Sequence, residues 1–221
     1  MPPEVATGPD RLPLPPTLTA AQRIAAEKIT AGPRGALVGP FVPLLRSPEL
    51  MTRLQLVGEY LRFDSGLPAH LRELVILLVA RHWDQDFEWG HHVPLARSAG
   101  LGEDVITAVR DGDVVTGPDD VRAVWQFVSA LTERHAVSDR IYHAVLATVG
   151  DAGLVEVVAM AGYYTTLAMT MNVARTPVPD DYERLPPMDG ASRRTGPPNR
   201  AILGDFTFPS LRVGPARQRE S

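Results

Sequence analysis

Apolar residues recur every three or four positions through most of the chain, the spacing of helices that turn one face to a core. TLTAAQRIAAEKIT offers Thr17 or Thr19 as a cap before an alanine-rich turn. In SPELMTRLQLVGEYLRF, Ser47 is the cap, Pro48 takes the first helical position, and Leu50, Leu54, Val57 and Leu61 form a stripe. LPAHLRELVILLVARHW carries Leu71, Leu74, Val75, Leu78 and Val79 at the same period. GEDVITAVRDG is a short helix stopping at Gly112. PDDVRAVWQFVSALTERH sets two acids at the positive end of its dipole. SDRIYHAVLATVG and GLVEVVAMAGYYTTLAMTMNVAR complete the set. No alternating strand pattern of useful length appears. The pattern predicts an all-α domain over residues 17–175, with short connections and roughly antiparallel neighbours.

Residues 153–173 are apolar on nearly every side, which predicts a helix buried at the centre or in a subunit interface. Its glycines, threonines, Glu156 and tyrosine pair argue against a membrane span. The ends of the chain have another character. Of 21 prolines, six fall in residues 1–16 and eight in 176–221. Both ends are predicted to be proline-rich arms, extended or partly disordered. Ile202, Leu203, Phe206 and Phe208 give the second arm a face that docks on the body or a neighbouring subunit, although a mobile tail fits the same pattern.

A hydrophobic content of 44% suits a packed core, and a net charge of -4 argues against a general nucleic-acid binder. With no cysteine, disulfides, thiolate metal sites and thiol catalysis are excluded. The first twenty residues lack a signal-peptide pattern, so a cytoplasmic protein without a membrane partner is the expectation.

Titratable groups crowd one segment, DQDFEWGHHVPLARSAG, residues 84–100. Read as helix, Gln85, Glu88 and His92 share a face. Glu73 lies 19 residues before His92 on the preceding helix, and an antiparallel hairpin near Trp83–Asp84 returns it to that face. Two carboxylates and an imidazole at a helix junction can move a proton across a bound substrate. Pro94 cannot donate to the Gly90 carbonyl, so a kink there, with space at Gly90, is a candidate pocket edge. His91 points about 100° from His92 and is expected to turn away from the pocket. The plainer alternative stays open, because a Glu–His pair is common on solvated helices. His82, Glu88, His91 and His92 are ligand types, but HExxH order is absent and no metal site is assigned. Tyr163, Tyr164 and Asn172 are core hydrogen-bonding groups or pocket lining.

LRELVILLVARHWDQDFEWGHHVPLARSAGL resembles the carboxymuconolactone decarboxylase family, which includes alkyl hydroperoxidase D, and SDRIYHAVLATVGDAGLVEVVAMAGYYTTLAMTMNVARTPVP is similar to its longer decarboxylase-like members. The resemblance spans roughly residues 35–180. The peroxidase branch uses a glutamate, a Cys-x-x-Cys pair and a histidine four residues on, with a glycine eight residues further. The matching positions are Glu73, Gln85, Glu88, His92 and Gly100. Both sulfurs are replaced here, which removes thiol-dependent peroxide reduction.

The resemblance implies an alkyl hydroperoxidase D-like helical bundle, assembled as a homo-trimer or hexamer, with cofactor-free chemistry on a small organic acid or lactone. It points to Glu73, Glu88 and His92 as catalytic groups. Arg72 and Arg81 are candidates to hold a substrate carboxylate, and Gln85, Tyr163 and Tyr164 to line its site. It leaves two function classes: a lyase or isomerase working by proton transfer, and a non-catalytic ligand-binding or scaffold relative. An open, substrate-sized cavity with perturbed acids and bases separates the first from a collapsed, solvent-paired cluster.

Overall fold

The computed structural model describes residues 8–187. Thr19 opens α1 (Ala20–Ala31) through a reciprocal capping box with Gln22. A glycine- and proline-rich connection leads to the single turn α2 (Phe41–Leu44). Helix α3 (Pro48–Glu59) starts on Pro48 and widens into a π-helical turn, Tyr60–Asp64. Then come α4 (Ala69–His82), α5 (Asp86–Ser98), α6 (Glu103–Asp111), α7 (Asp119–Arg134) and α8 (Asp139–Ala174). The described residues contain no strand, as the periodicity predicts. Helix α8 joins the two expected helices across a break at Gly150, whose φ of 71° and ψ of 179° no helix accepts.

The central helix is α4 rather than the apolar stretch 153–173. Leu71, Leu74, Val75, Ile76, Leu77, Val79 and Ala80 are all buried, because α4 packs against α5, α6, α7 and α8. The stretch in α8 is apolar all round but buried on one side only. Val157, Met160, Tyr164, Leu167 and Met171 enter the core, while Val155, Met169 and Val173 remain 64%, 41% and 63% exposed. With Leu56, Val57, Tyr60 and Phe63 also exposed, the molecule carries an apolar face along α3 and α8. By length and composition alone α8 is also apolar enough to cross a membrane.

The described parts of both arms are extended and docked. The Arg11 N–H donates to the Ala174 carbonyl at 2.7 Å, and Arg46 Nη2 donates to the Pro13 carbonyl at 2.6 Å. Residues 182–186 form a strap across α5. The Leu185 N–H donates to Asp86 at 2.9 Å, Arg97 pairs with Glu183, and the Pro186 carbonyl accepts from Arg81 at 2.9 Å. Ile202, Leu203, Phe206 and Phe208 lie outside the described residues.

Gly90 explains the strap's position. Helix α5 runs on through Pro94 to Ser98, and the space beside Gly90 is filled by Tyr182 rather than opening a pocket. A Cβ at Gly90 would lie 2.5 Å from Tyr182 Cβ. Gly90→Ala should therefore undock the strap, even though alanine favours the helix by up to ~1 kcal/mol. Trypsin cleavage after the exposed Arg184 is the measurement. Faster cleavage with an unchanged melting midpoint is the expected result, and unchanged cleavage refutes the steric argument.

Candidate active site

A three-residue turn brings the chemistry together. At Asp84 the chain enters the left-handed region (φ 48°), which aspartate tolerates better than most residues. The Gln85 N–H then donates to the Ala80 carbonyl at 2.8 Å, reversing the chain so that α5 runs back along α4. His92 thereby meets Glu73, with Nδ1 and Oε2 2.7 Å apart. With Nδ1–H donating to the carboxylate, Nε2 is the free base nitrogen of the ring. Tyr164 from α8 packs edge-on against the imidazole, with centroids 5.3 Å apart.

His92, Glu88, His91 and Tyr164 line one cavity of about 80 Å³, space for several waters. Apolar walls come from Val38, Phe41, Phe87, Leu167 and Met171. Glu88 is 3% exposed, and its Oε2 has no hydrogen-bond partner among the described residues. Burial pushes its carboxyl well above the ordinary carboxylate range, which favours the neutral acid. Burial also lowers the pKa of His92, and the hydrogen bond to Glu73 opposes that only in part. Burial thus favours the uncharged form of both groups, an imidazole base and a carboxylic acid facing one cavity, a division of labour set by environment.

Glu73 meets His92 as the spacing predicts, and Glu88 and His92 line one cavity, but Glu73 stands behind the imidazole and is not among the lining residues; the supporting residues are also placed differently. Gln85 does not line the cavity. Its φ of -98° and ψ of 96° make it the cap of α5, so its side chain accepts from the Phe87 N–H and donates to Asn172. Arg72 donates to the Leu67 carbonyl at 2.6 Å, and Arg81 is buried against Asp84 and Pro186. Neither arginine is among the cavity's lining residues. Tyr163 is absent from the lining as well; its hydroxyl is buried beside Gly58. His91 does not turn away: it lines the cavity between Phe87 and Tyr182, with Nδ1 3.1 Å from the tyrosine oxygen. Two further arginines line the cavity without any sequence pattern to mark them, Arg34 in the α1–α2 connection and Arg62 on the π turn. Among the described residues no group of three or more His, Asp or Glu side chains is arranged for a metal ion.

His91 has a consequence for acid stability. Burial first, and then the charge of neighbouring groups, lowers its pKa from 6.5 to about 4. A histidine lowered on folding binds its proton more readily in the unfolded chain. Stability is then complete above pH 6.5 and drains away as pH falls from 6.5 toward 4. Chemical denaturation across that window should show the decline, and His91→Phe should flatten it. An identical slope in both proteins counts against the buried, neutral ring.

The fold and site describe a helical protein with a carboxylate–imidazole pair facing a small, mostly apolar cavity. Residues 48–133 match the model of the carboxymuconolactone decarboxylase family. That segment holds Glu73, Glu88, His91 and His92, whereas Phe41, Tyr164 and Met171 of the cavity wall lie outside it. Among solved structures, a protein of unknown function from Agrobacterium tumefaciens, described as a putative antioxidant defence protein AhpD, is 23% identical with a TM-score of 0.53, covering 62% of this chain and 94% of that one. An uncharacterized peroxidase-related protein from Ralstonia eutropha JMP134 with an alkylhydroperoxidase AhpD core is 16% identical, with a TM-score of 0.64 and coverages of 80% and 95%. The debrominase Bmp8, in its apo form, is 10% identical, with a TM-score of 0.61 and coverages of 76% and 91%. These likenesses show the AhpD-like fold. No curated protein matches the sequence.

Proposed function

We propose that this protein is a decarboxylase-like lyase or an isomerase that moves a proton on a small organic acid or lactone. The observation that carries the reading is the 2.7 Å Glu73–His92 pair lining up behind the cavity that also receives the unpartnered Glu88 acid. In an isomerisation, His92 Nε2 removes a proton next to a carbonyl, and Glu88 O–H donates a hydrogen bond to the developing enolate oxygen. The imidazolium then returns the proton to a second carbon. In a decarboxylation, the carbon–carbon bond breaks to release CO2, its electrons pass into the enolate, and Glu88 protonates the carbon. Glu88 then regains its proton from solvent. Both routes use a donor placed where charge develops. The alternative of a non-catalytic ligand-binding or scaffold relative accounts less well for a buried acid left without a partner beside an open cavity.

The test is a panel of carboxylated lactones and β-keto acids followed by NMR in deuterium oxide. Deuterium incorporation or CO2 release that Glu88→Gln slows by about 10²-fold or more supports the reading. Equal rates in wild type and variant refute it. Activity should follow a bell in pH. It rises as His92 loses its proton, at a pH below the usual histidine value, and falls as Glu88 ionises, at a pH above the usual carboxylate value.

The exposed apolar face along α3 and α8 supports a homo-oligomer, of which a trimer or hexamer is proposed.

A further inference from the structure

We propose that Arg34 and Arg62 form a carboxylate clamp at the mouth of the cavity, so that its ligand is a small monoanionic acid with an apolar body. The clamp deepens the proton-transfer reading and depends on it only for the chemistry done on the bound acid, not for the binding itself.

Most arginines among the described residues are tied down. Arg46, Arg72, Arg81, Arg97, Arg110 and Arg122 all donate to carbonyls or carboxylates. Arg34 and Arg62 have no such bond and no ion-pair partner among the described residues, and both line the cavity. Each guanidinium rests on an aromatic ring, Arg34 4.9 Å from the Phe41 centroid and Arg62 5.2 Å from that of Phe63.

The unsatisfied atoms of Arg34 say what it accepts. They are Nε and Nη2, the side-on edge of the guanidinium, and both are buried without a hydrogen bond. The same edge of Arg97 grips both oxygens of Glu103 at 2.8 Å each, and that of Arg110 grips Asp111 at 2.8 and 2.9 Å. Two parallel N–H donors match a carboxylate and little else of that size. The Arg34 edge rests against Gly58, where a Cβ would lie 2.5 Å from Nη2 and 2.1 Å from Tyr163 Oη. Gly58 thus leaves room for the guanidinium, and no bond holds it there. The clamp requires the guanidinium to rotate about its outer torsions, turning that edge from Gly58 toward the cavity that Arg34 already lines.

The charge in the cavity agrees. Arg34 and Arg62 both disfavour protonation of His91 and His92, so their positive potential reaches the imidazoles. Burial favours the neutral form of Glu88, and the other carboxylate beside the lining residues is Glu73, bonded to His92. Two partly buried cations therefore face an apolar space with less than one anion each, and an entering carboxylate restores the balance. Phe41, Phe87, Leu167 and Met171 leave the rest of the ligand an apolar berth.

Calorimetric titration with sodium benzoate and with neutral benzamide, at matched ionic strength, tests the clamp. Benzoate is expected to bind at least about tenfold more tightly than benzamide, one charge-assisted contact's worth. Arg34→Gln and Arg62→Gln should each weaken benzoate about tenfold and leave benzamide unchanged. If Arg34→Gln does not fold by circular dichroism, Arg34→Lys keeps the charge and removes the planar edge, and should still weaken benzoate. No benzoate binding, equal affinity for both compounds, or wild-type benzoate affinity in folded Arg34 and Arg62 variants overturns the clamp. The two readings fail separately. Charge-selective binding without turnover of any acid or lactone keeps the clamp and removes the proton-transfer role. Turnover of neutral lactones lost in Glu88→Gln, with no preference for benzoate, does the reverse.

Discussion

His92→Ala is expected to lower turnover by about 10²–10⁴-fold, the contribution of a positioned acid–base group, without altering the far-ultraviolet spectrum. Glu73→Gln keeps a hydrogen-bond partner 2.7 Å from Nδ1 but removes the charge that opposes the burial effect on His92. Its loss should be smaller, roughly 10–100-fold, as for other carboxylates that orient a histidine. It should also move the acid limb of the pH profile further down, since the imidazolium loses its counter-charge. His91→Ala should cost only a small part of the His92→Ala loss. If His92→Ala and wild type turn over a substrate at the same rate, His92 is a core histidine and the proton passes elsewhere.

Leu77→Ala should cost about 2–5 kcal/mol of unfolding free energy, because Leu77 sits with no exposure on the helix that packs against four others. Val173→Ala on α8, 63% exposed, should change the unfolding free energy of an isolated chain by less than about 0.5 kcal/mol. Val173→Glu should act instead on assembly, shifting the mass measured by light scattering toward the 24.0 kDa of one chain. A wild type that already scatters as a single chain at micromolar concentration removes the proposed oligomer. A large loss on Val173→Ala with none on Leu77→Ala would mean that the core has been misplaced.

The difference between these helices shows where sequence patterning runs out. Periodicity names the residues that need burial but not what buries them. In α4 the demand is met within the chain, whereas in α8 Val155 and Val173 are left for something else. The Glu73–Glu88–His92 set is legible because it depends only on helical phase and a short reversal. Helical phase fails for Gln85 by one residue: the helix begins at Asp86, and an extended cap points its side chain back at the turn. Arg72 and Arg81 stand near Glu73 and Asp84 in sequence, and nearness of that kind does not aim a guanidinium. A long flexible side chain takes the nearest carbonyl or carboxylate, and both find one outside the cavity. The arginines that do line it carry no periodic signal. Arg34 lies in a glycine- and proline-rich connection, and Arg62 on a π turn whose wider register shifts each side chain away from the α-helical phase.

Tyr182 also gives the site an order of birth. It covers the notch at Gly90 and bonds His91, 91 residues earlier in the chain. Synthesis at about 5–20 residues per second puts roughly 5–20 seconds between the two. During that interval the hairpin of α4 and α5 is complete in sequence while the aromatic cover of its outer face does not yet exist. The face that carries His91 is therefore the last part of the site to leave water, and it does so only when the strap arrives from the ribosome.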